Sequence, residues 1–209
     1  MANDGTMKNL YAQLSLTAAC LLFGLLTARG QTLSGQVRTE TNQGIEDANV
    51  TVTGPGVSLA TLTNSMGNFS FSGFTNGQTY TLCVTLEQNP LNGVSSFDLQ
   101  LLTQHLLQNP PLSSPYKIIA GQTDPSYEAP DVGDVLRIQK LIQGEFTQLT
   151  VPSWMFIPAN YSFPDPAHPY SAVPPFPNGC KTVIVNGNTT AQDFIGVKIG
   201  DFNNTAVPH

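Results

Sequence analysis

Between residues 33 and 86, apolar and polar side chains alternate in five short runs: LSGQVR, ANVTVTG, VSLATLT, NFSFSGF and TYTLCVTL. Glycine-bearing turns separate them, at Asn42-Gln43-Gly44, Gly54-Pro55-Gly56, Met66-Gly67-Asn68 and Asn76-Gly77-Gln78. A period of two sends successive side chains to opposite faces of a strand, and short runs punctuated by such turns build antiparallel sheets. The fold class read from this pattern is mainly β with a small α part, beginning with an antiparallel β-sandwich. Val50, Val52, Phe69, Phe71, Tyr80, Leu82, Val84 and Leu86 are expected to point inward, and Thr51, Thr53, Ser70, Ser72, Thr81, Cys83 and Thr85 outward. So small a unit has a marginal core alone, so it is expected to lean on the chain that follows.

The segments SGQV (34–37), GIEDANVTV (44–52) and TNSMGNFSFSGF (63–74) resemble the opening strand, the Gly-x-x-x-Ala-x-Val-x-Val segment and the Gly-x-Phe-x-Phe strand of the carboxypeptidase regulatory-like family. That resemblance implies a transthyretin-like sandwich over residues 31–87 that serves as an accessory domain without catalytic activity. Some relatives share a carbohydrate-binding-like fold, yet fold alone supplies no sugar site.

After Gln88 the period changes from two to that of a helix. Superposing Asp98 on Asp134 aligns DLQLLTQHLLQ with DVLRIQKLIQG, so that Leu99 meets Val135, Leu102 meets Ile138 and Leu106 meets Ile142. Each segment thus carries one apolar stripe, and two such helices bury together what neither buries alone. The prolines of NPPLSSPYKIIA end the first helix. This duplicated loop-and-helix, residues 88–146, resembles the dockerin family, with its EF-hand-like calcium loops. Together with SWMFIPANYSFPDPAHP and DFIGVKIGDFNN it is similar to the dockerin-like segment of secreted Bacteroidetes proteins. The resemblance implies docking onto a cohesin-like or cell-surface protein module through the helix faces, with Gln100, Thr103, Gln104, Arg137 and Lys140 as outward contacts. It also implies Ca2+ as the cofactor.

A calcium loop needs hard oxygens at fixed positions around a sharp turn. In the first loop Asn89, Asn92 and Asp98 are the candidate metal ligands; in the second, allowing one inserted residue, Gln122, Asp124 and Ser126 precede Asp134. Glu128 and Asp131 stand ready in an altered loop. Neither loop presents the full ligand set. A second reading has Asp98 and Asp134, helped by Ser95 and Ser96, capping the helix starts through backbone N–H groups. Asp201-Phe202-Asn203 echoes the start of a dockerin loop, but six residues before the final His209 it reads as a tail.

Residues 147–209 form the last region. Its strip VPSWMFIPANYSFPDPAHPYSAVPPFP (151–177) is dense in proline and aromatic residues and is expected to run extended over the surface, packing on the preceding modules. Its aromatic side chains, with Trp154 and Tyr161 as candidate binding residues, either stack on a polysaccharide or fasten the strip down. KTVIV and FIGVKIG read as two late strands.

Several function classes drop out. Only 11% of residues are charged and the net charge is −6, which excludes a phosphate-backbone partner and hence nucleic acid. No G-x-S-x-G, H-E-x-x-H or glycine-rich phosphate loop occurs, and His105, His168 and His209 stand apart in the sequence. No catalytic residue is assigned, and the chain is read as a binding or assembly protein. Residues 1–30, with Lys8, the apolar run 14–28 and Ala28-Arg29-Gly30, form an export signal cleaved near Gly30, with Met7 as an alternative start and Cys20 followed by too much apolar chain for a lipid anchor. The mature chain is therefore expected to be secreted or on the cell surface, with no membrane span. Export permits a disulfide between Cys83 and Cys180, or the two remain free thiols.

Overall fold

The computed structural model describes residues 30–172 and 175–208. Residues 1–29, where the expected export signal with Cys20 falls, and residue 209 lie outside the described residues. From Gln31 onward the chain forms one compact unit. Its elements are β1 (Gln31–Arg38), β2 (Asn49–Gly54), β3 (Val57–Leu62), β4 (Asn68–Phe74), β5 (Thr79–Thr85), α1 (Ser96–Leu106), α2 (Pro115–Ile119), α3 (Val132–Ile142), β6 (Trp154–Pro158), β7 (Cys180–Ile184) and β8 (Phe194–Lys198).

The strands make two four-stranded sheets, ordered β4-β1-β8-β6 and β3-β2-β5-β7. Every pairing is antiparallel except β1 with β8. The alternating runs of the first half lie where their period puts them: Val50, Val52, Phe69, Phe71, Tyr80, Leu82 and Val84 all fill the layer between the sheets. The early strands lean on the late ones by backbone pairing, since β6 and β8 extend one sheet and β7 the other. Cys83 lies opposite Cys180 in the β5–β7 ladder, and the two are joined in a disulfide that closes a separation of 97 residues. Such a crosslink stabilises chiefly by restricting the unfolded chain.

The course of the Pro/aromatic strip differs from the sequence expectation. Its first part is strand β6, and all five of its residues are buried. Trp154 and Phe156 face the layer between the sheets, while Met155 and Ile157 face the helices. A strand covered on both faces shows a continuous apolar run instead of alternation, so periodicity had nothing to register. Gly196 of β8 opens the space this requires, because a Cβ there would lie 2.3 Å from Ile45 Cδ1 and 3.0 Å from the Phe156 ring. The result is three layers: sheet, sheet, and a helical layer on the outer face of the β6–β8 edge. Among the described residues no helix is long and apolar enough to cross a membrane.

Candidate functional site

The helical layer is built on the internal repeat. α1 packs against α3, and the equivalent residues Leu102 and Ile138 are both fully buried in one apolar cluster with Met155, Ile157 and Phe202. Each helix begins with the same device. Ser95 caps α1 and Asp131 caps α3, and the third helical residue, Asp98 or Asp134, reaches back to the cap's backbone N–H. This reciprocal box satisfies donors that every helix start leaves open.

The second carboxylate oxygen of each pair reaches further. Asp98 Oδ2 accepts from Ser95 N and Oγ, both at 2.9 Å, while its Oδ1 accepts from Phe202 N at 2.9 Å. Asp134 Oδ2 accepts from Asp131 N at 2.8 Å, and its Oδ1 accepts from Thr123 Oγ1 and Thr123 N. Asp98 is wholly buried and Asp134 nearly so. Asp98 thus ties its helix start to the distant segment at Phe202, and Asp134 ties its own to the beginning of the loop that leads into it.

The Asp201 segment is no free tail. Asp201 accepts from the backbone N–H groups of Asn203, Thr205 and Ala206, Phe202 is fully buried, and Glu46 N donates to Pro208 O at 2.9 Å. Asn92 pairs its side-chain amide with both backbone groups of Val207, at 2.8 and 3.0 Å. The final residues therefore strap the first loop to the sandwich. Gly93 is required beneath the strap: its φ is +77°, and a Cβ there would stand 2.4 Å from Ala206 N.

The oxygens proposed for calcium are engaged in these contacts. Asn89 Oδ1 accepts from Leu91 N, Asn92 Oδ1 from Val207 N, and both oxygens of Asp98 are taken. In the second loop Asp124 Oδ1 accepts from Ser126 N, and its Oδ2 lies 2.6 Å from Arg137 Nη2. Arg137 Nη1 lies 3.6 Å from Asp134 Oδ1. Ser126 holds the Asp124 carboxyl below the usual range, and the Arg137 charge adds to this. One second-loop oxygen, the buried Gln122 Oε1, has no partner among the described residues. A hard cation takes six to eight oxygens, so the donor set present does not fit Ca2+. No group of three or more His, Cys, Asp or Glu among the described residues is disposed to hold a metal.

Arg137, read from the sequence as an outward docking contact, is instead occupied by its own loop. Gln100, Thr103 and Lys140 are exposed and Gln104 half-buried. Sequence reading missed Lys198, because nothing in FIGVKIG links it to a loop a hundred residues earlier. Its side chain is only 4% exposed, and Nζ donates to Pro90 O at 2.8 Å and Ile199 O at 3.2 Å. Burial lowers its pKa to about 8 against the opposing fields of Asp201, Glu87 and Asp98.

The aromatic platform does not form as read. Trp154 is 3% exposed, with its indole N–H on Gln88 Oε1 at 3.0 Å, so neither ring face is open to a sugar. Tyr161 donates to Pro175 O and packs edge-on against Phe163. A cleft of about 630 Å3 lies instead between the end of α1, the 127–130 loop and the 167–171 segment, with His105, Tyr127, Glu128, His168 and Tyr170 in its walls. Burial lowers the His105 pKa, and its Nδ1 accepts from Leu112 N at 3.2 Å, which fixes the imidazole proton on Nε2. His168 is exposed and pairs with Asp165 at 2.8 Å.

No curated protein and no solved structure matches the chain. Residues 32–100, from β1 into the first helix of the repeat, match the family model of the carboxypeptidase regulatory-like domain.

Proposed function

We propose that this is an exported, non-catalytic binding or assembly protein whose helix pair presents a docking face to a protein module of the cohesin-like or cell-surface kind. The observation that carries the reading is the outer face of α3, where Val132 is 67% and Leu136 51% exposed, one turn apart. Phe97 on α1 is likewise 52% exposed. Apolar side chains left open on a helix whose opposite face is fully packed mark a place for a partner. Export is supported by the apolar run 14–28 and by the disulfide, a bond that persists in oxidising compartments. The non-catalytic reading is supported by the employment of His105, Asp98, Asp134 and Asp201 in backbone hydrogen bonds. A photo-crosslinking amino acid placed at position 136 in the producing cells tests it. The expected result is one discrete protein adduct that disappears when Val132 is changed to Glu; no adduct, or one indifferent to Val132→Glu, contradicts it.

Polysaccharide binding is the second reading, and the cleft beside Tyr127 favours it over Trp154. That cleft has the size of a small-ligand site and combines half-open aromatic rings with hydrogen-bonding groups. Oligosaccharide titration followed by calorimetry, with Tyr127→Ala as the control, tests it. Heat that vanishes in the variant supports the reading, and no heat with any oligosaccharide removes it.

A further inference from the structure

We propose that the two loop-and-helix repeats carry their own cations, the Arg137 guanidinium in the second loop and the Lys198 ammonium in the first, in the places where a calcium loop holds its ion. The helix pair then keeps its packing without divalent metal.

The second loop shows this most directly. Asp124 and Asp134 stand near its two ends, ten residues apart, and one guanidinium reaches both, at 2.6 and 3.6 Å. A metal ion in such a loop has the same task, which is to draw oxygens from both ends together and cancel their charge. Arg137 does this from the first turns of the very helix the loop introduces, so the cation arrives with the fold. Its planar fork suits two carboxylates at once.

The first loop receives its cation from outside. Lys198 comes from β8, yet its Nζ donates to the backbone carbonyl of Pro90, inside the loop that runs to Asp98. A second carbonyl, Ile199 O, shares the same ammonium. A buried ammonium without oxygens and nearby negative charge would cost several kcal/mol. Burial disfavours its charge most strongly, and the two carbonyl oxygens together with the fields of Asp201, Glu87 and Asp98 work against that cost. Each of the two loops is thus met by one basic side chain, Arg137 through two carboxylates and Lys198 through the Pro90 carbonyl.

The inference predicts what happens when a cation is taken away. Arg137→Gln leaves the charges of the Asp124 and Asp134 carboxylates uncompensated beside Gln122, whose Oε1 has no partner among the described residues. With the guanidinium gone, these two carboxylates carry the negative charge that a divalent cation would neutralise. The experiment is thermal unfolding of the purified protein in excess EDTA and in millimolar CaCl2, for the natural chain, Arg137→Gln and the double variant Arg137→Gln/Lys198→Gln. The natural chain is expected to melt at one temperature in both buffers. Arg137→Gln is expected to melt a few degrees lower in EDTA and to recover in CaCl2, with Tb3+ luminescence appearing where the natural chain gives none. The double variant is expected to show a wider gap between the two buffers. A natural chain that melts higher in CaCl2 than in EDTA overturns the proposal, as does an Arg137→Gln variant that CaCl2 leaves unchanged. Because the first comparison uses only the natural chain, the proposal stays testable even if a variant fails to fold.

Discussion

The two repeats use one design at two depths. In both, a capping box starts the helix and its acidic third residue also accepts from outside the helix, Asp98 from Phe202 and Asp134 from Thr123. In the first repeat Asp98 is wholly buried, and the loop is sealed by the C-terminal strap and by Lys198 from β8. In the second, Arg137 closes the loop at the surface, where its side chain remains 36% exposed. The same hydrogen-bonding pattern should therefore weigh very differently in the two places. Water can replace a lost partner at the surface, whereas a buried donor left alone bears its full desolvation cost.

The largest effect is expected at the strap. Phe202→Ala empties a fully buried site beneath the first repeat and should cost about 3–5 kcal/mol, read as a shift in the urea midpoint. A small loss there would break the contrast at its root. Next comes the paired comparison itself. Asp98→Ala strands the N–H groups of Ser95 and Phe202 and is expected to cost about 3 kcal/mol. Asp134→Ala strands Asp131 N and the Thr123 donors but sits beside the half-open Arg137, and is expected to cost about 2 kcal/mol. Equal losses in the same denaturation assay would show that depth does not separate the repeats.

A pH scan sharpens the contrast further. The folded pKa of Lys198 is about 8, below the ordinary lysine value of 10.5, so the folded state gives up this proton first as pH rises. Over that interval the unfolded chain binds more protons, and stability contributed by this group therefore rises from pH 8 towards 10.5. Lys198→Met should flatten that rise, whatever its effect on absolute stability. Arg137 stays charged throughout and adds no slope of its own. The smallest effect belongs to Arg137→Lys, which keeps the charge but loses the fork. A shift of about 0.5 kcal/mol is expected for so exposed a pair.

How much of this was legible in the sequence depended on whether a residue's environment is local. The alternation of NVTVT and TYTLCVT announced β2 and β5 because each has one face on the core. Leu102 and Ile138 were legible because a helix repeats its buried position within the segment itself. Asp98 and Asp134 were readable as caps for the same reason. β6 escaped because both of its faces are covered, leaving WMFIP with no period to read, and with it went the expectation that Trp154 is open to a sugar. Lys198 and Phe202 were illegible for another reason: their partners Pro90 and Asp98 are 108 and 104 residues away, and only the fold brings them together. Arg137 was misread because helical spacing places it off the apolar stripe, and spacing alone cannot tell an open side chain from one engaged by its own loop.

Differential scanning calorimetry of the natural chain, with and without chelator, tests most directly whether the helix pair and sandwich are one body held by their own side chains. A single endotherm at the same temperature in both conditions is the predicted result. An early, separate endotherm that moves down when calcium is withdrawn would contradict the account.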